Sequence, residues 1–268
     1  MTSVRATGTE PRRRRRKPVG RTREPATPGP ASSGPGETSA SFAWICGLLQ
    51  AGDSFYPTGS YAHSFGLEGL AQEGVVHDRA TLRTFLLLSV LPALRHVDLP
   101  LAAHAWRALE QPDWNRVGEI CRLSSALKTA REARAAAENI GRQRAELLAG
   151  LRLDSRAQEY LRHAAKENWP FSPSVSAALE GRGLGAPLEA VLAAVAYAAL
   201  ASLLSAAMKL LRLGQNGSQS LLTEALGAVP AMITAAQVVP FEDIGWFNPW
   251  LDIAAARHET ADGRLFIS

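Results

Sequence analysis

Cysteine is almost missing from this 268-residue chain: Cys46 and Cys121 are the only two, and neither belongs to a CxxC pair. A disulfide-knit fold is excluded, and a thiol-based metal or redox centre has no sequence support. Phosphate-binding signatures are missing as well. There is no GxxxxGK[ST] loop, and the Gly-Leu-Gly-Ala-Pro run at 183–187 lacks the preceding strand and the spacing of a dinucleotide-binding turn. The pair His258-Glu259 opens what looks like an HExxH zinc motif, but Asp262 stands where the second histidine belongs, so no metalloprotease follows. Period-two alternation, the mark of a half-buried strand, is not found. The arginine run Arg12 to Arg16 is followed by Pro, Gly and Ser instead of an apolar stretch, so no export signal can be drawn there. A cytoplasmic location with reduced thiols is the expectation.

What is present is apolar mass: 46% of the residues, against 20% charged, enough for a substantial core. The charge is unevenly placed. Residues 1–40 carry nine basic side chains (Arg5, Arg12 to Arg16, Lys17, Arg21, Arg23) against Glu10, Glu24 and Glu37, whereas the remainder is slightly acidic. All six prolines of that segment lie between Pro11 and Gly36, among glycines and serines. Such a composition cannot repay its ordering entropy, so residues 1–40 are expected to be a disordered basic tail ahead of one domain at 41–268.

From Ser41 onward apolar residues recur at helical spacing, beginning with Phe42, Ile45, Leu48 and Leu49. Asp78 and Asp154 are candidate caps for helices at 79–95 and 155–168, and Pro187 suits a first-turn position before 188–211. Further runs fall at about 98–110, 113–126, 128–150, 172–181, 218–236 and 248–257. The fold class is therefore all-α, a single-domain bundle of about ten helices. Ala190 to Met208 is uncharged and near the length of a membrane span, but eleven of its 19 residues are Ala or Ser. That composition favours a central helix buried all round over a lipid-facing one, and its small side chains predict close helix packing or a helix-mediated dimer interface.

Three regions could carry function. Asp53, His63 and Glu68 flank or lie in SFYPTGSYAHSFGLEG at 54–69. They could form an acid/base or metal set, yet His63 and Glu68 are five residues apart, roughly 140° around a helix, and would not share a face. The plainer alternative is a shaped docking loop: Pro57 and Gly59 for a turn, Thr58 or Ser60 as a cap, Gly66 for close packing. At the C-terminus Arg257, His258, Glu259 and Arg264 are either a solvated charged tail or a recognition tail anchored by Leu265, Phe266 and Ile267. Lys209 and Arg212 suit the C-terminal dipole of the central helix, with Gly214 and Gly217 turning the chain, and Lys209 could alternatively meet a partner carboxylate or phosphate. Trp246 and Trp250, around Phe247, are candidates for an exposed apolar patch leading into the tail.

Several of these segments, taken in order, resemble the urease accessory protein F (UreF) family. LLQAGDSFYPTGSYAHSFGLEG at 48–69 is similar to its N-terminal signature, with Ser60 in place of the usual second glycine of the turn. VDLPL at 97–101, KTAREAR at 128–134 and MKLLRLGQ at 208–215 resemble internal markers. IAAARHETADGRLFIS at 253–268 resembles the C-terminal signature, with Ala261-Asp262-Gly263 where an aromatic or Ser often precedes the final Arg-Leu-Phe. The resemblance implies an all-helical, non-enzymatic homodimeric scaffold that binds the accessory protein D/H, recruits the GTPase UreG and reaches the urease apoprotein through that complex. Nickel would be handled by the assembly, with no cofactor held tightly by this chain. It further implies that Arg257, His258, Glu259, Arg264, Leu265 and Phe266 contact the D/H protein, that Lys209 and Gln215 face the GTPase, and that Pro57, Thr58, Gly59, His63, Ser64 and Glu68 form a partner-facing or metal-passage surface. Two other classes compete: a nucleic-acid-binding protein acting through the Arg-rich tail, and a small helical enzyme using His63 with Asp53 or Glu68.

Overall fold

The computed structural model describes residues 42–53, 55–59, 64–152, 154–258 and 265–266, together with all their side chains except that of His258. Among them are ten α-helices and no strand, the all-α bundle expected from periodicity. The helices are α1 (Ala43–Ala51), α2 (Leu67–Gln72), α3 (Arg79–Ala108), α4 (Trp114–Ala126), α5 (Arg131–Leu151), α6 (Ser155–Glu167), α7 (Pro173–Leu184), α8 (Leu188–Leu210), α9 (Gln215–Ala236) and α10 (Pro249–His258). The expected tail at 1–40 lies outside the described residues.

Local chemistry sets most of the boundaries. The Asp78 carboxylate accepts from the Thr81 backbone N–H at 2.8 Å while the Thr81 hydroxyl accepts from the Asp78 N–H, a reciprocal cap that starts α3. Asp113, Asp154 and Ser172 cap α4, α6 and α7 in the same sense. Asn168 and Gly185 end α6 and α7 in the left-handed conformation.

Where periodicity suggested two helices, at 79–95 and 98–110, the chain forms one. Pro92 and Pro100 are absorbed by wide π turns at Leu86–Val90 and Leu94–Asp98, each closing by an i→i+5 bond onto the residue just before the proline: Leu91 N–H to Leu86 O, and Leu99 N–H to Leu94 O. The extra residue makes room for a ring that would clash with the carbonyl four residues back. Other starts also shift. Pro187 is the N-cap residue of α8, and α9 begins at Gln215, so Gly217 is helical instead of turning the chain.

Two core clusters meet along α3. One joins Leu67, Leu70, Leu82, Phe85, Leu86, Leu91 and Leu94 to Leu192, Leu200 and Leu203 of α8 and to Leu221, Val229 and Met232 of α9. The other gathers Leu101, Ala105 and Leu109 with Ile120, Leu148, Tyr160, Val175 and Leu179. By length and composition α3 and α8 could each cross a membrane, but both build this core.

The Ala-rich helix α8 is central, though not buried all round. Leu188, Val191, Leu192, Ala196, Leu200 and Leu203 face inward, whereas Ala194, Ala198, Ala201 and Ser205 are half-buried and Tyr197 and Met208 exposed. The apolar stripe of α1 also points out: Phe42, Ile45 and Leu49 are exposed, and Gly47 is what packs inward, so close that an added Cβ would overlap Leu184.

Candidate functional site

Glu68 organises the site. It lies in the first turn of α2, is 1% exposed, and its carboxylate accepts two main-chain N–H groups of the C-terminal segment: Leu265 at 2.7 Å on Oε1 and Phe266 at 3.1 Å on Oε2. Charge-assisted bonds of this kind are stronger than neutral ones and satisfy a carboxylate that would otherwise be costly to bury. Ser64, fully buried, accepts the Glu68 N–H on Oγ at 3.3 Å and so ties the start of α2 to the segment before it. Phe266 turns into the protein, and the Lys209 ammonium at the end of α8 sits 5.3 Å from its ring centroid. Three segments far apart in sequence thus close into one clasp: Ser64 with Glu68, Lys209, and Leu265 with Phe266.

Helix α10 packs against α2 next to this clasp. A Cβ on Gly69 would stand 2.7 Å from the Ala254 carbonyl oxygen, so the two backbones touch where only glycine fits. Gly66, in the left-handed region at φ 81°, is likewise pressed against Leu251. Polar bonds hold the flanks: Thr129 Oγ1 donates to Asp252 at 2.7 Å, and Arg257 pairs with Glu73 at 2.9 Å. The outer side of α10 and its approach remain apolar and open, with Phe247 and Trp250 nearly four-fifths exposed, Ile253 and Leu265 exposed, and Trp246 stacked on His96. Exposed apolar side chains gathered on one helix and its approach make this face a candidate protein-binding surface. Trp246 and Trp250 fall where the sequence reading placed them.

The turn at Tyr56–Gly59 packs beside α7 and the α8–α9 pair. Asp53 Oδ1 accepts the Phe55 N–H at 2.8 Å and the Thr58 N–H bonds Tyr56 O at 2.8 Å, which folds the segment back on itself. Thr58 is buried and does not cap α2, whose N-cap is Gly66 with no side-chain bond. Pro57 and Gly59 are exposed. Asp53 and Thr58 line a cavity of about 310 Å³ beside α1 and the α8–α9 pair, whose wall is Ala198, Ala201 and Ser205. The Tyr56 hydroxyl donates to Glu180 of α7 at 2.6 Å; burial first, then this bond, raises the phenol pKa above its ordinary value. Glu180 is the residue that the sequence reading passed over. An acid placed directly after the uncharged stretch 168–179 was the available signal.

Of the other expected site residues, Lys209 and Gln215 are exposed at the α8–α9 junction, and His258 ends α10. His63, Glu259 and Arg264 lie outside the described residues. Lys209 and Phe266, which the sequence reading assigned to different partners, are in contact, and Phe266 is an anchor within its own chain while Leu265 faces solvent. The two Glu68 oxygens are engaged by backbone N–H groups, which leaves little chemistry for an acid/base role. No group of three or more His, Cys, Asp and Glu side chains among the described residues is placed to hold a metal ion. Burial pushes the Cys121 thiol up to about 12, so it is unreactive.

Residues 76–226 match the profile of the UreF family. The urease accessory protein UreF of Paenarthrobacter aurescens is 32% identical over 225 residues, covering 82% of this chain and 96% of the relative. That of Methylibium petroleiphilum is 32% identical over 226 residues (84% and 94%), and that of Corynebacterium efficiens 29% identical over 220 residues (82% and 95%).

Proposed function

The chain belongs to the UreF family of urease accessory proteins, an accessory and not a catalytic family, and from that premise we propose that it is a scaffold for loading nickel into urease. In this reading it binds the D/H accessory protein, recruits the GTPase UreG and presents both to the urease apoprotein, with nickel as cargo. A scaffold needs no nucleophile; holding partners in one geometry raises their effective concentration and lets nucleotide hydrolysis be coupled to transfer.

The observation that carries this reading is the clasp. Segments of the N-terminal signature, the α8 end and the C-terminal signature meet through Glu68, Lys209 and Phe266 beside the open apolar patch of α10. The patch, with Trp250, Ile253 and Leu265, is assigned to the D/H protein. The exposed Lys209–Gln215 junction is assigned to the GTPase, and the turn at Pro57 to Gly59 to a partner-facing surface. A homodimer interface is assigned to the half-buried Ala/Ser face of α8 with Tyr197, Met208 and the outward stripe of α1, since small residues permit close approach of a second helix. The protein is assigned to the cytoplasm with no membrane span.

The test is co-purification of the full chain with the D/H protein and UreG, sized by light scattering, beside the variants Trp250→Asp and Tyr197→Asp. The expected results are a ternary complex for the parent, loss of D/H binding for Trp250→Asp, and a monomer for Tyr197→Asp. A parent chain that binds neither protein refutes the reading.

A further inference from the structure

We propose that His96 of α3 is a positioning residue for the docking face: its carbonyl and its ring together seat Trp246, and with it Phe247, beside α10. The inference deepens the scaffold reading and rests on it for the partner, the D/H protein, though not for the contact itself.

The docking face has two halves with different supports. Trp250 and Ile253 stand on α10, which is seated on α2 through Gly69 and Ala254. Trp246 and Phe247 belong to no helix; they lie near the end of the connection 237–248 between α9 and α10. Such a connection must find partners for its main-chain groups, and it finds several along α3. Arg107 Nη2 donates to Gln237 O at 2.8 Å, protonated His104 Nε2 donates to Val239 O at 2.9 Å, and the Gly245 N–H donates to His96 O at 3.1 Å. As the connection advances from 237 to 245 its partners step back from Arg107 to His96, so it runs antiparallel to α3 as a strap. Between these bonds Ile244 enters the second core cluster, and Phe241 meets His104 edge-on, with the Arg116 guanidinium 3.7 Å from its ring centroid.

The helix itself prepares His96 to hold this end of the strap. In a regular α-helix the carbonyl of residue 96 would accept the N–H of residue 100. Pro100 has none to give, and the helix widens at Leu94–Asp98 to pass it. Gly245 takes the carbonyl that this releases. The His96 imidazole then lies against the indole of the next residue, Trp246, with centroids 5.6 Å apart and planes 14° from parallel. The backbone bond fixes where the strap leaves α3, and the ring fixes how Trp246 faces; one residue on, Phe247 is presented to solvent. The core clusters draw on Leu94, Val97 and Leu99 from the same stretch and not on His96, so its ring serves the surface side of the helix.

His96→Ala removes the ring and keeps the carbonyl, whereas His96→Phe keeps a flat ring in its place. In the full chain, His96→Ala is expected to weaken D/H binding about fivefold and to leave GTPase binding at the parental level. Hydrogen exchange read by mass spectrometry is expected to accelerate about fivefold in peptides covering 245–248, with α8 and α9 unchanged. His96→Phe is expected to bring both readouts back to within about twofold of the parent. A purely structural role would speed exchange through α8 and α9 as well and weaken both partners alike, and that result overturns the proposal. It is equally overturned by parental exchange in His96→Ala, by faster local exchange with parental D/H affinity, or by a His96→Phe protein as weak as His96→Ala. If the parent chain binds no D/H protein, faster local exchange in His96→Ala that His96→Phe reverses upholds the seat of Trp246 and overturns the scaffold reading instead.

Discussion

Gly69 and Gly227 are both helical glycines, and the structure predicts opposite outcomes for the same substitution. At Gly69→Ala the new methyl would come 2.7 Å from Ala254 O and 3.3 Å from Ala254 C. These are backbone atoms, which cannot rotate away, so α2 and α10 must separate by about 0.7 Å to reach ordinary contact. Overpacking of this kind costs roughly 1–3 kcal/mol, and the helix-propensity gain of Ala over Gly returns about 1 kcal/mol. The net loss, about 1 kcal/mol at the middle of that range, is local to α10, whose opening becomes about fivefold more frequent. At Gly227→Ala, an exposed site inside α9, nothing lies within 4 Å of the new methyl. The propensity gain is then uncompensated, and Tm is expected to rise by about 2–4 °C. Thermal unfolding followed by circular dichroism, with hydrogen exchange on the α10 peptides, checks both. A Gly69→Ala protein that melts at or above the parental temperature, with parental exchange in α10, would refute the account of the α2–α10 contact and weaken its link to partner binding.

Other outcomes follow from burial and charge. Arg144→Met alone leaves the Glu180 carboxylate buried against only the Tyr56 hydroxyl, so urea unfolding should show a loss of about 3–5 kcal/mol, and most of it should return when Glu180→Gln is added; equal stability of the single and double variants would contradict the pairing. Alkaline pH should destabilise the fold: Tyr56, Tyr160 and Cys121 all have pKa values raised chiefly by burial, so the native state holds their protons more tightly. Their contribution is fully present below the ordinary values of 9.0 for the thiol and 10.0 for the phenols and is lost as pH rises through the native ones. The urea midpoint should thus be level up to about pH 9 and fall above it, and a midpoint that climbs between pH 9 and 11 would show the sign to be wrong. Native protein treated with an alkylating reagent at pH 8 should take one label, on exposed Cys46, with Cys121 reached only after unfolding; a doubly labelled native mass would rule that out.

Much of the fold could be read from residue order because helix caps and apolar spacing are local. Asp78, Asp113, Asp154 and Ser172 each bond a backbone N–H within three residues, and the starts of the helices they cap agree with the apolar spacing to within a residue. The failures came where a distant surface decides. Periodicity splits 79–95 from 98–110, yet π turns carry α3 through the gap and past Pro92 and Pro100, and its two ends serve two different core clusters. The α1 stripe of Phe42, Ile45 and Leu49 has the right spacing for a buried face, but the bundle takes the glycine face instead, since Gly47 lets α1 approach Leu184.

The site divides in the same way. Its residue types were visible segment by segment, but the partnership of Glu68 with Leu265 and Phe266 spans nearly 200 positions and leaves no spacing to detect. Read singly, Glu68 is a first-turn helix acid and Lys209 a dipole cation, and both descriptions hold as far as they go. What they lack is the shared neighbour: Phe266 lies under Lys209 because Glu68 holds its backbone there. Changing any one of the three therefore alters the surroundings of the other two, and variants of Lys209 and of the C-terminal segment should not behave additively in partner binding. A double-mutant cycle with Lys209→Ala and Phe266→Ala, measured as affinity for the D/H protein and for the GTPase separately, should give a coupling of about 0.5–1 kcal/mol with each. Additivity within experimental error for both partners would mean that the clasp is a contact of the free chain without a part in docking.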